Sequence, residues 1–194
     1  MERLVSIGWV VASLAIASST GAFAGNSNYE PTYPPRMIAA AADARSFYLE
    51  FRARNHIGGL GHSYVTLGTI DASGKGHQNV VVGFMPKSAD DDYWSDFGLP
   101  VTGWVGLTLS DLLRRPDARF RVALSKETYS RVVGEIRSAR RVWTRYELVV
   151  RNCNNFVGEI ASSAGLRTPL ITAQLPVDYV AELRTLNSHR SPKN

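Results

Sequence analysis

The stretch YELVVRNCNNFV, residues 146–157, holds the single cysteine of a 194-residue chain and decides how the fold is read. Its first half, Tyr146 to Val150, reads as a strand. Asn152 then has the character of a helix N-cap, because its side-chain oxygen accepts a hydrogen bond from a free backbone N–H of the first turn. Phe156, Val157, Ile160, Ala161 and Ala164 recur at helical spacing, and Gly165 is a natural stop. Cys153 therefore belongs to the first turn of a helix, at the edge of the core. A thiol is a nucleophile only as thiolate, and a helix N-terminus lowers its pKa from about 8.5 through unpaired N–H groups and the helix dipole.

Working outward, alternation of apolar and polar residues predicts strands over 46–54, 62–68, 78–84 and 119–124. A glycine-rich turn separates the first two, and Asp71 to Gly76 reads as a hairpin loop. Residues 87–107 read as irregular, acidic at Asp90-Asp91-Asp92 and aromatic at Tyr93, Trp94, Phe97 and Trp104; long irregular stretches often form lids or binding loops. Trp94 and Trp104 are accordingly candidate groove residues, and Asn154 a candidate at the rim beside the thiol. A short helix is expected over 108–115, stopped by Pro116. Ser125 opens a long helix to Thr144 with an apolar stripe of Tyr129, Val132, Val133, Ile136, Ala139 and Trp143. A last helix is expected from Pro176 to Leu186.

A nucleophilic cysteine needs a base, and the chain has four histidines: His56, His62, His77 and His189. His62 opens a strand directly after Gly61, a position that suits a fixed imidazole. Together GHSYVTLG (61–68), GFMP (83–86) and YELVVRNCNNFV (146–157) resemble the permuted branch of the NlpC-type papain-like hydrolases, which includes the lecithin:retinol acyltransferase-like and PPPDE-type families. In that branch a histidine at a strand start precedes an Asn-Cys pair that opens a later helix. The resemblance covers roughly residues 46–170. It implies Cys153 as nucleophile, His62 as general base, and a third polar residue one strand later that orients the imidazole: His77, or Gln78 or Asn79 instead. The acyltransferase-like group has a histidine deeper in that strand, where this chain reads Val81-Val82-Gly83, which weakens the lipid reading.

Residues 1–24 carry a short basic start, an apolar run and Ala22-Phe23-Ala24, the pattern of a cleaved secretory signal. The expected product is periplasmic or secreted, with no further transmembrane segment. It consists of a flexible lead-in over 25–45, a permuted papain-like domain over 46–187 and a polar tail over 188–194. The net charge of +5 attracts anionic polymers or surfaces, but no nucleic-acid module is recognisable. One cysteine and scattered histidines give no zinc pattern, and the acidic run lacks a calcium-loop pattern, so neither metal nor cofactor is expected. The expected fold is α+β: an antiparallel sheet of four to five strands packed against the Cys153 helix and the Ser125–Thr144 helix. The leading functional expectation is an exported cysteine hydrolase that cleaves an amide or peptide bond through an acyl-cysteine, cell-wall peptide being one substrate that fits compartment and resemblance. Two readings stand beside it. One is a lipid acyltransferase or thioesterase with the same dyad and an apolar groove near 84–107; the other is a non-catalytic binding protein that retains the fold. The oligomeric state is open.

Overall fold

Alternation along the strands sorts this chain into two faces. The computed structural model describes residues 46–56 and 59–188; the expected signal segment, the lead-in and residues 189–194, with His189, lie outside the described residues. Six strands form one antiparallel sheet: β1 (Ser46–His56), β2 (Gly59–Ile70), β3 (Gly76–Pro86), β4 (Val101–Gly106), β5 (Ala118–Leu124) and β6 (Arg145–Tyr146), in the order β5-β1-β2-β3-β4-β6. Five helices accompany them among the described residues: α1 (Ala89–Asp96), α2 (Leu109–Leu113), α3 (Lys126–Val142), α4 (Cys153–Ser163) and α5 (Pro176–Asn187). The fold is α+β.

On one face Leu49, Phe51, Val65, Leu67, Val82, Phe84 and Val122 meet the apolar stripes of α3, α4 and α5. Helix α4 packs on β2 and β3, and α5 crosses β1, β2 and β5. Removal of these side chains from water is the main stabilising term, at about 1.5–3 kcal/mol for each large aliphatic or aromatic residue. The alternate positions of β1 carry Tyr48, Glu50, Arg52 and Arg54. Glu50 is buried and accepts hydrogen bonds from Arg52 and Arg121, so its charge is paired.

Where α4 crosses α5, a Cβ at Gly158 would stand 2.5 Å from the Tyr179 hydroxyl oxygen. That hydroxyl is buried and has no hydrogen-bond partner among the described residues, and burial pushes its pKa above the usual range. Gly158→Ala is therefore expected to cost about 1–3 kcal/mol through overpacking, although alanine is the better helix former by about 1 kcal/mol. Adding Tyr179→Phe removes the obstruction, and urea denaturation is expected to show most of the loss recovered.

Four expectations are corrected. The sheet has six strands, because residues 87–107 are not irregular: Ser88 caps α1 by accepting from Asp91 N–H, and Val101–Gly106 pairs with β3. The glycine-rich turn is shorter than expected, because Gly59, Leu60 and Gly61 already belong to β2. The run 146–150 is not a strand: only Arg145 and Tyr146 pair with β4, after which the chain turns and Glu147 bridges back to Arg151. Val149 and Val150 stand exposed in that turn.

Candidate active site

Helix α4 starts as its residues dictate. The Asn152 side-chain oxygen accepts from the N–H groups of Asn154 (2.9 Å) and Asn155 (3.1 Å), and Asn155 Oδ1 accepts from Asn152 N–H (3.0 Å), a reciprocal capping box. The asparagine amides then reach away from the helix. Asn152 Nδ2 donates to Leu148 O (2.6 Å), Asn154 Nδ2 to Thr172 O (3.0 Å) and Gln174 O (2.9 Å), and Asn155 Nδ2 to Thr172 Oγ1 (3.1 Å). The cap thus also ties two loops, around 148 and around 172–174, to the helix start.

Cys153 is the first residue of this helix and is 5% exposed. Burial pushes its pKa up, but hydrogen bonding to His62 and the His62 charge, together with Ser63, outweigh this and leave the thiol below its ordinary value. The Ser63 hydroxyl donates to Asn154 Oδ1 (2.8 Å), so its one hydrogen is committed there. Burial, then the Cys153 charge, raise the Tyr146 pKa far above the usual phenol range, so its hydroxyl stays protonated beside the thiol.

His62 is placed by Gly61, whose φ of 84° suits glycine and whose Cβ, if present, would stand 2.4 Å from Arg54 O. The His62 ring stacks on Tyr64, with centroids 5.8 Å apart. Its Nε2 is buried and has no hydrogen-bond partner among the described residues. Asp111 Oδ2, from α2, is 4.0 Å from Nε2. The carboxylate has no exposed surface; it accepts from Arg54 Nε (3.2 Å) and from Thr108 N–H (2.8 Å).

Comparison with known protein families, curated proteins and solved structures finds no match to this chain.

Beside the thiol lies a cleft of about 360 Å³, lined by Leu60, Gly61, Tyr146, Leu148, Val149, residues 152–154 and residues 173–176. Asn154 lines it as expected, but as a buried structural amide and not at a solvated rim. Trp94 and Trp104 do not line it. Trp94 borders a separate hollow with Leu99, Pro100 and Arg145, and the Trp104 ring lies against Gly106. Nor does the structure bring His77, Gln78 or Asn79 to His62. His77 pairs with Thr69, seven residues along β2 from His62, or about 23 Å at 3.3 Å per residue, and its ring binds Asp71 in the hairpin (2.7 Å). Gln78 pairs with Gly68, and Asn79 falls in the register shift beside it. All three are exposed.

Sequence reasoning missed Asp111, Tyr146 and Ser63 as neighbours of the site. Tyr146 stood in the opening motif but read as a strand residue. The spacing Thr108 to Asp111 is a capping-box signal and identifies only a local role. Among the described residues no cluster of three or more His, Cys, Asp or Glu side chains is arranged to hold a metal ion.

Proposed function

We propose that this protein is an exported cysteine hydrolase with a permuted papain-like fold, acting on an amide or peptide bond, with cell-wall peptide as a substrate class. The observation that carries this reading is the Cys153 thiol, seated at the start of α4 and held below its ordinary pKa by the influence of His62. The order of elements also supports it: a histidine on β2, followed later by an Asn-Cys pair opening a helix that packs on β2 and β3.

The chemistry follows from the neighbours. His62 Nδ1 takes the thiol proton, and the thiolate attacks the carbonyl carbon. The negative charge on the carbonyl oxygen is met by the Cys153 N–H, which the cap does not use, and by the Tyr146 hydroxyl. The C–N bond breaks, the imidazolium proton passes to the leaving amine, and an acyl-cysteine remains. Water, deprotonated by His62, attacks the thioester carbonyl, giving a carboxylic acid and the free thiol.

The cleft favours a second reading. Leu60, Leu148, Val149, Ala173, Leu175 and Pro176 supply an apolar wall beside the nucleophile, although not at 84–107 as the acyl-transfer reading expects. An apolar wall suits the acyl group of a thioesterase or lipid acyltransferase. One experiment addresses both. The protein is incubated with p-nitrophenyl esters from acetate to octanoate and with peptide p-nitroanilides, and the Cys153 peptide is weighed by mass spectrometry. Acyl mass on Cys153 and turnover of the anilides support the hydrolase; acylation that rises with chain length and no anilide turnover supports the second reading. No adduct on a thiol that iodoacetamide still alkylates overturns both.

A further inference from the structure

We propose that Asp111 is the positioning residue for His62, delivered from α2 to the side of the ring turned away from the thiol. This rests on the reading of Cys153 and His62 as nucleophile and base. Three independent observations converge on it. The first is the orphan: His62 Nε2 is buried, and no described residue bonds it. A buried polar atom without a partner is costly and uncommon. The second is the vacancy on the neighbouring strand. Gly83 pairs with Tyr64, and a Cβ at residue 83 would stand 2.5 Å from Nε2. A side chain there would occupy the space beside the ring; glycine leaves it open to another element. The third is the carboxylate itself, fully buried and 4.0 Å from Nε2.

The hydrogen-bond accounting allows the contact. A carboxylate offers about four lone-pair sites. Arg54 Nε takes one on Oδ1 and Thr108 N–H one on Oδ2, so Oδ2 keeps a site for Nε2. Closing 4.0 Å to hydrogen-bond length requires a movement of about 1 Å, of the kind that free active sites make on taking up substrate. The charges agree as well. The groups that face His62 are Cys153 from α4, Asp111 from α2, Arg54 paired across β1, and Tyr64 on its own strand, with Tyr146 beyond the sulfur. An imidazolium formed during the reaction lies near the Arg54 cation. The Asp111 anion between them offsets that repulsion and holds Nε2–H, so that Nδ1 is the atom that takes the thiol proton.

The test uses Asp111→Asn, which keeps the shape and a cap acceptor for Thr108 but removes the charge. Its control is Thr108→Ala, which weakens the α2 cap and leaves the carboxylate. The rate of Cys153 alkylation by iodoacetamide is followed against pH, with kcat and KM on any ester the wild type turns over. Asp111→Asn is expected to move the alkylation midpoint to higher pH and to lower kcat by about tenfold with little change in KM. Thr108→Ala is expected to lower the melting temperature and leave the pH profile in place. An unmoved profile in Asp111→Asn while His62→Ala moves it overturns this proposal alone. Equal shifts in Asp111→Asn and Thr108→Ala overturn it too, since the cap would then explain both. An unmoved profile in His62→Ala overturns the dyad and this proposal with it. Wild-type imidazole ¹⁵N spectra need no variant: a proton on Nε2 of neutral His62 is expected, and a bare Nε2 with the proton on Nδ1 contradicts the assignment.

Discussion

Replacing His62 with alanine is expected to slow acyl transfer by roughly 10²–10⁴-fold and to raise the pH midpoint of Cys153 alkylation above that of a free cysteine. The first effect is the usual contribution of a general acid–base. The second follows from the balance at the sulfur. Burial is the largest influence on the thiol and acts upward; His62 supplies the two largest opposing influences. Without the imidazole, Ser63 alone opposes burial. The sign is then fixed: the thiolate is the reactive form, so a higher pKa moves reactivity to higher pH. At pH 7 a thiol of ordinary pKa is only about 3% thiolate. The wild type is therefore expected to alkylate at pH 7 faster than His62→Ala by ~10-fold or more. Cys153→Ala is the companion variant and is expected to remove acyl transfer by about 10⁴-fold or more. Identical alkylation profiles for wild type and His62→Ala would falsify the thiol–imidazole pair.

Asn154→Asp is expected to be among the most destabilising single-atom changes available in this domain. Asn154 is 1% exposed, donates to two carbonyls, Thr172 O and Gln174 O, and accepts from the Ser63 hydroxyl. A carboxylate keeps the acceptor and loses both donors, so a buried negative charge faces two carbonyl oxygens. Each unmade buried bond costs about 1–3 kcal/mol, and more at a charged group. A loss of about 3–6 kcal/mol is expected against a total stability of about 5–15 kcal/mol. For a domain of this size that corresponds to a fall in melting temperature of roughly 10–20 °C. The pH dependence separates this cause from simple loss of packing. A buried aspartic acid has its folded-state pKa raised above the unfolded value of about 3.9, so folding takes up a proton and stability returns as pH falls. Asn154→Ala loses the same donors without the charge and is expected to be destabilised with no recovery in acid. Calorimetry of the two variants at pH 5 and pH 8 distinguishes them.

What was legible in the sequence was local. Helix α4 announces itself within fourteen residues by cap, stripe and stop, and the Gly61-His62 step marks a strand position that the register then places opposite Arg54. Residues 87–107 hid their structure for a physical reason. The Tyr93 ring packs edge to face on Trp94 and Phe97 in the open, so α1 carries no inward apolar stripe. Gly103 of β4 is there because the Phe84 ring and Tyr146 Cβ approach too closely for a side chain. The run 146–150 read as a strand, but only Tyr146 lies alongside β4; the rest reverses direction to bring Arg151 back to Glu147. Asp111 was invisible as a site neighbour because its partner Arg54 is 57 residues away, a contact that no local pattern encodes.

The cleft that would admit a substrate to Cys153 also admits oxidants. Cys153 lines that cleft beside Leu148 and Leu175, and a molecule as small as hydrogen peroxide enters wherever a peptide or acyl chain can. The product of that encounter is a sulfenic acid, which is normally rescued by condensation with a second thiol. The 194 residues hold no other cysteine, so the chain supplies no resolving partner. Peroxide damage therefore runs onward to the sulfinic state unless an external thiol enters the cleft and reduces the sulfenic acid first.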